Sequence, residues 1–274
     1  MQILLRAVAR LPLPVLHVLG AALGWIIYLA SPTYRRHLAE NLAQAGYADA
    51  TVRRAAIAAA GRMVLELPAV WLRTRAELAA WMRPIEGEAL IDDARAAGKG
   101  IVFLTPHMGC FEILAQAAGE RFPITVLYRP PKLKFLQPMI EAGRAGANVK
   151  LAPTDGSGVR QLVAALRAGE SVGILPDQVP GEGEGAWAEF FGRPAYTMTL
   201  AMRLSERPNT VTFLAFGERL PGGAGFRVCV RPLPEALPGE TPARHLNRAV
   251  ESLVRENPGQ YLWGYNRYKL PRAA

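Results

Sequence analysis

The feature that most constrains the fold is a series of short apolar runs alternating with helical segments from residue 85 onward. IVFLTP (101–106), ITVLY (124–128), NVKLAP (148–153) and SVGILPD (171–177) are too short for amphipathic helices and too apolar for one-sided strands. Runs of that kind are strands buried on both faces, which requires helices above and below them. The helices are expected at IEGEALIDDARAAGKG, ended by Gly98 or Gly100, and at CFEILAQAAG. Two more follow at LKFLQPMIEAGRAG, interrupted at Pro138, and GVRQLVAALRAG. Late strands at NTVTFLAFG and FRVCVRPL and a terminal helix, PARHLNRAVESLVREN, complete the pattern. The expected fold class is α/β, a mixed sheet with helices on both faces.

Ahead of this lies LPLPVLHVLGAALGWIIYLA (11–30), free of formal charge when His17 is neutral. Twenty helical residues match a hydrocarbon core of roughly 30 Å. Trp25 and Tyr28 sit near one end, as interfacial aromatics do. Arg6 and Arg10 precede the segment, and Arg35 and Arg36 follow it, so charge sets no topology. SPTYRRHLAENL offers no convincing small-residue cleavage site for a leader. A membrane anchor over 1–32, spanning or lying in the interface, is the expectation, with a buried core helix as the alternative. Residues 33–83 read as a basic helical region packed on a catalytic domain at 84–274, with Gly46 and Pro68 as punctuation. Its Ile57, Met63, Val64, Leu67, Val70 and Trp71 recur at helical spacing and are expected to pack.

Hydrophobic residues make up 50% of the chain and charged ones 20%, which excludes a wholly disordered protein. The net charge is +9. Residues 1–83 contribute ten arginines against four acids, so an anionic partner is expected. Zinc-finger, RNA-sheet and basic-zipper patterns are lacking, which argues against nucleic acid. Cys110 and Cys229 are too few for a disulfide scaffold, and with four histidines no metal cluster is expected.

TPHMGCFE (105–112) is the most informative segment. His107 follows an apolar strand, where open α/β sheets carry ligand sites. Glu112 falls in the first turns of the next helix. A neutral imidazole that takes a proton from an attacking hydroxyl, held by a carboxylate, needs no serine or cysteine. Cys110 as a nucleophile is the weak alternative. His17 belongs to the anchor, and His37 and His245 read as surface groups.

The setting T-P-H-x-G-x-x-E resembles the lysophospholipid-acyltransferase superfamily. The wider chain resembles its bacterial lipid A biosynthesis branch, the lauroyl/myristoyl transferases. RRHLAENL (35–42), VLYRP (126–130), DGSGVR (155–160), GILPDQ (173–178), FFGRPA (190–195) with Thr197, and WGYNRYK (263–269) carry the likeness. The resemblance implies a glycerolipid-acyltransferase-like fold. It implies acyl transfer from an acyl carrier protein thioester to a hydroxyl of a phosphorylated glycolipid, a lipid A precursor. This would occur at the cytoplasmic face of a bacterial inner membrane, without metal or cofactor. It makes His107 the base and Glu112 its orienting group. Arg129, Arg144, Asp177, Arg267 and Lys269 become substrate-binding candidates, with Asp177 equally readable as a loop-structuring carboxylate. Gly192 is expected to shape a turn beside the Asp177 site. Tyr265 and Asn266 stand where the family commonly has His and Arg. A lysophospholipid or lyso-ornithine lipid acceptor therefore stays open, as does a non-catalytic membrane-associated protein. The stretch around Leu65, Leu67, Val70 and Trp71 is a candidate wall for the acyl chain, although packing is the plainer role.

Overall fold

A computed structural model describes residues 2–131, 137–144 and 148–271. The strands form where the apolar runs predict. They are β1 (Met82–Glu86), β2 (Gly100–Leu104), β3 (Ile124–Tyr128), β4 (Val149–Pro153), β5 (Ser171–Ile174), β8 (Thr210–Arg219) and β9 (Phe226–Pro232). They make one seven-stranded sheet in the order β1-β9-β8-β2-β5-β3-β4. β8, β2, β5, β3 and β4 run parallel, and β9 returns antiparallel to β8 with β1 parallel to it. β1 lies at the end of a region read as helical and the start of one read as another helix. Its sequence, MRPIE, is too polar to announce an edge strand.

Side chains alternate across the sheet with period two. Ile101 and Phe103 of β2 face one cluster with Ile124, Phe213 and Ala215. α6 (Glu88–Ala96) and α7 (Glu112–Gly119) cover this face. Val102 and Leu104 face the other with Val172, Ile174 and Leu214. There α9 (Gly156–Arg167), α10 (Leu200–Ser205) and α11 (Pro242–Glu256) pack, joined by α3 (Pro32–Gln44) and part of α4 (Ala50–Leu72). The expected α/β class and two helical layers are therefore present. Of the expected helix 133–146, α8 (Gln137–Arg144) is described, with Pro138 in its first turn; 133–136 and 145–146 lie outside the described residues. α4 runs through Pro68 without a break.

β6 (Gly185–Phe190) and β7 (Arg193–Met198) form a separate hairpin. Phe190 pairs with Arg193, leaving Phe191 (φ +48°) and Gly192 (φ +74°) as the turn. Two positive φ angles are what a tight hairpin of matching twist requires. The tip docks on α3 and α11, and Phe190 beside it packs against Tyr261. Gln44 Nε2 donates to the Phe191 carbonyl at 2.7 Å, and the Phe191 N–H donates to Glu251 Oε1 at 2.8 Å.

The apolar N-terminal segment is α2 (Leu13–Ala30), following α1 (Gln2–Ala9). It lies along α4 rather than projecting from the body. Gly20 and Gly24 meet Gly61 so closely that a Cβ at any of them would strike the opposite backbone. Leu13, Leu16 and His17 are buried on the same side. The other face carries Val15, Val18, Leu19, Trp25, Ile26 and Leu29, with Val18 70%, Ile26 62% and Leu29 67% exposed. The helix is apolar all round, yet only one side of it is covered.

Candidate active site

β2 and β5 are neighbours in parallel register, with Leu104 opposite Ile174. Each strand leaves the sheet through one residue and a proline, Thr105-Pro106 and Leu175-Pro176. Thr105 N–H still bonds the Ile174 carbonyl at 2.9 Å. The third residue beyond each strand is His107 on one and Asp177 on the other, and the equal offset makes them meet. His107 Nδ1 lies 2.8 Å from Asp177 Oδ1, and the His107 backbone N–H donates to Oδ2 at 2.9 Å. Asp177 is buried. Burial alone would raise its carboxyl, but the imidazole beside it and these hydrogen bonds outweigh that and hold it below the ordinary range. A carboxylate only accepts, so Nδ1 carries the proton and Nε2 the lone pair. Gln178 Nε2 lies 3.1 Å from His107 Nε2.

The loop after His107 is clamped against β8 and the C-terminal segment. Gly109 has φ +58°, and a Cβ there would overlap the Gly217 carbonyl. Gly109 N–H donates to the Gln260 carbonyl, Cys110 N–H to Gly217, and Leu262 N–H to His107, at 2.9, 2.7 and 3.0 Å. From below, Arg219 Nη2 donates to the Gly109 carbonyl at 2.7 Å. Arg219 is paired with buried Glu66 at 2.6 Å, and His17 of α2 lies 2.8 Å from the same carboxylate. His17, placed by its segment in an anchor, is thus also tied through Glu66 to Arg219 of the sheet. Nothing in the spacing of His17, Glu66 and Arg219 announces this group.

Glu112 opens α7, one turn of loop beyond His107, and faces α4 and α8. Its carboxylate accepts from Trp71 Nε1 at 3.1 Å and Arg144 Nε at 2.9 Å, and Arg144 Nη2 binds its other oxygen. Both nitrogens of the His107 ring are engaged by Asp177 and Gln178. The orienting contact expected from Glu112 is therefore made by Asp177, because the β2–β5 pairing brings the latter under the ring. Glu112 and Arg144 line the same cleft from the opposite wall. Tyr128 lies against the Arg144 guanidinium at 5.0 Å.

The cleft has a volume of about 700 Å³ and opens at the carboxyl ends of β2, β3, β4 and β5. Leu67 and Trp71 of α4 line it, whereas Val70 is buried elsewhere and Leu65 packs with it, which divides the expected groove residues. Exposed Arg129 stands at the rim with Arg203. Beneath Phe111, Ala115, Val126 and Leu175, which it shares with the cleft, an apolar cavity of about 60 Å³ runs between α7 and the sheet. Arg267 is not available to a substrate. It is buried and donates to the Tyr196 carbonyl and Thr197 Oγ1, both at 2.8 Å. Lys269 lies over the Tyr265 ring at 4.8 Å, outside the cleft lining. Cys110 is buried among Leu13, Leu16, Ile113 and Phe226, and burial pushes its thiol up, which removes it as a nucleophile. His245, read as a surface group, is buried and bonds the Pro234 carbonyl at 2.6 Å. No cluster of three potential metal ligands occurs among the described residues.

The family model for bacterial lipid A biosynthesis acyltransferases matches residues 1–270. The chain belongs to that family. The lipid A biosynthesis lauroyltransferase of Escherichia coli (strain K12) is 26% identical over 96% of this chain and 88% of its own length. The palmitoleoyltransferase of the same strain is 25% identical over 95% and 87%. A lipid A biosynthesis acyltransferase of Haemophilus influenzae is 23% identical over 96% and 87%. Relatives named for different acyl chains are equally similar, so the expected lauroyl/myristoyl subtype is not singled out.

In this acyltransferase the geometry gives Tyr265, one of the two residues expected to depart from the family pattern, a place. Its hydroxyl accepts from the Val179 N–H at 3.0 Å, pinning the loop that carries Asp177 and Gln178. Asn41, in RRHLAENL, donates to the Trp263 and Tyr265 carbonyls at 2.6 and 2.8 Å. Two separated motifs thus hold one loop. Nothing in the local sequence assigns Gln178 or Tyr265 a role or pairs Asp177 with His107. The shared strand-x-Pro-polar pattern was the available signal.

Proposed function

We propose that the protein transfers a fatty acyl group from an acyl carrier protein thioester to a hydroxyl of a lipid A precursor, with His107 as general base. The observation that carries this is the His107–Asp177 pair, which leaves Nε2 basic and facing a large cleft with apolar walls. Nε2 takes the hydroxyl proton, the oxygen bonds to the thioester carbon, the C–S bond breaks, and the proton passes to the departing thiolate. Asp177 stabilises the imidazolium formed in between. Glu112 fixes Arg144 against the opposite wall. Arg129 and Arg203 at the rim suit a phosphorylated acceptor. The apolar slot behind Phe111 suits the start of the acyl chain. Lys269 is left to the surface, where the basic N-terminal third steers an acidic carrier.

The exposed face of α2, flanked by Arg6, Arg10, Arg35 and Arg36, supports seating on the anionic cytoplasmic leaflet of an inner membrane. A helix docked along one side and apolar on the other fits an interfacial position better than a spanning one.

The test is purified protein in detergent with acyl carrier protein thioesters and phosphorylated glucosamine lipids, products read by mass spectrometry. An added acyl group, absent in folded His107→Ala protein, is expected. Transfer only to glycerol or amino-acid lipids would overturn the acceptor, and no transfer at all would overturn the reaction.

A further inference from the structure

The one lone pair that can act as base already has a partner. Asp177 fixes the proton on Nδ1, so the group 3.1 Å from Nε2 must be a donor, which assigns the nitrogen of the Gln178 carboxamide to that position. A hydroxyl awaiting deprotonation needs the same place, within about 2.6–3.2 Å of Nε2. A single lone pair serves one donor at a time. The backbone beyond Gln178 is pinned by Tyr265, so the exchange is made by the side chain alone, which is half-buried and borders the cleft.

From this geometry we infer that Gln178 is a cap on the base. Its carboxamide occupies the seat of the acceptor hydroxyl in the resting site, keeps water off Nε2, and is displaced when the acceptor enters. The inference rests on the acyl-transfer reading above. Without the cap, water takes the seat: Nε2 accepts a water proton, the water oxygen bonds to the thioester carbon, the C–S bond breaks, and the thiolate takes the proton back. The product is a free fatty acid and a thiol.

The experiment measures thiol release from a fatty acyl thioester of acyl carrier protein without acceptor, and acyl transfer with a phosphorylated glucosamine lipid. Wild type, Gln178→Ala, Gln178→Asn and the double variant Gln178→Ala/His107→Ala are compared. Asn keeps the polarity but withdraws the amide by one methylene, so it serves if Ala disturbs folding. Removing one competing hydrogen bond is expected to raise acceptor-free hydrolysis about tenfold and to lower the acceptor KM several-fold. The double variant is expected to lose both reactions. Gln178→Glu places a carboxylate on Nε2, favours the imidazolium, and is expected to move the activity profile to higher pH. Unchanged hydrolysis in a variant that still transfers would overturn the cap. So would loss of transfer and hydrolysis together in Gln178→Ala, which would make the amide a transition-state donor. A wild-type protein that neither hydrolyses nor transfers would instead overturn the acyl-transfer reading itself.

Discussion

Asp177→Asn separates the carboxylate that orients His107 from the one that does not. Asp177 accepts from the His107 backbone N–H at 2.9 Å and from the His107 ring at 2.8 Å. An asparagine has one oxygen and one NH₂ to set against those two positions. With the oxygen on the ring, the tautomer is productive, but the NH₂ meets the backbone N–H and a buried donor is unsatisfied, at about 1–3 kcal/mol. With the oxygen on the backbone, both bonds are kept, but the NH₂ donates to Nδ1 and the proton moves to Nε2, where it blocks the base. The second arrangement wins. The charge-assisted bond to the imidazolium is lost as well, about 1.5–3 kcal/mol. Together these are about 2.5–6 kcal/mol, so kcat for acyl transfer is expected to fall about 10²- to 10⁴-fold. The assay is product formation from an acyl carrier protein thioester, with circular dichroism and thermal melting to establish folding. Glu112→Gln is run alongside. It disturbs Arg144 and Trp71, not the ring, and should raise KM more than it lowers kcat. A nearly wild-type kcat in Asp177→Asn with a dead Glu112→Gln would refute the reasoning.

The same carboxylate sets an acid limit. Its value is depressed on folding, so its contribution is complete above the ordinary Asp range near 3.8 and is lost as pH falls through the lower folded value. Melting temperature measured from pH 6 down to pH 3 should fall in wild type and change less in Asp177→Asn. Replacing Val18, Ile26 and Leu29 together by Ser should leave the melting temperature nearly unchanged. Each apolar side chain buried in lipid contributes roughly 1.5–3 kcal/mol, so binding to anionic vesicles in a flotation assay should weaken more than about 100-fold. Ala118→Leu narrows the slot beside the cleft. At about 0.8 kcal/mol per buried methylene, preference should shift toward acyl chains shorter by about two carbons, read by competition between thioesters.

The layers of the sheet were legible because strands covered on both faces must be apolar throughout, as IVFLTP and SVGILPD are. The edge strand β1 was not, because MRPIE is half exposed and has no apolar run to give it away. His107 was legible from its place after a strand. Its partner was not, because adjacency of β2 and β5 is a property of strand order, and seventy residues of chain separate His107 from Asp177. Glu112, five residues away, looked nearer than it is, since the 107–111 loop turns it toward Trp71 and Arg144. The orientation of α2 was hidden for the opposite reason. Its apolar side chains surround the helix, so hydrophobic periodicity marks no buried face, and the small residues Gly20 and Gly24 decide it.

The docking of α2 has a consequence for anyone preparing this protein without detergent. Cutting away the first thirty residues would do more than remove a greasy tether. It would strip His17 from Glu66, open the Gly61 side of α4 to water, and loosen the Arg219 side chain that holds the Gly109 carbonyl two residues from the base. A shortened protein should dissolve more readily and work worse, so solubility is better sought by polar changes on the uncovered face than by truncation.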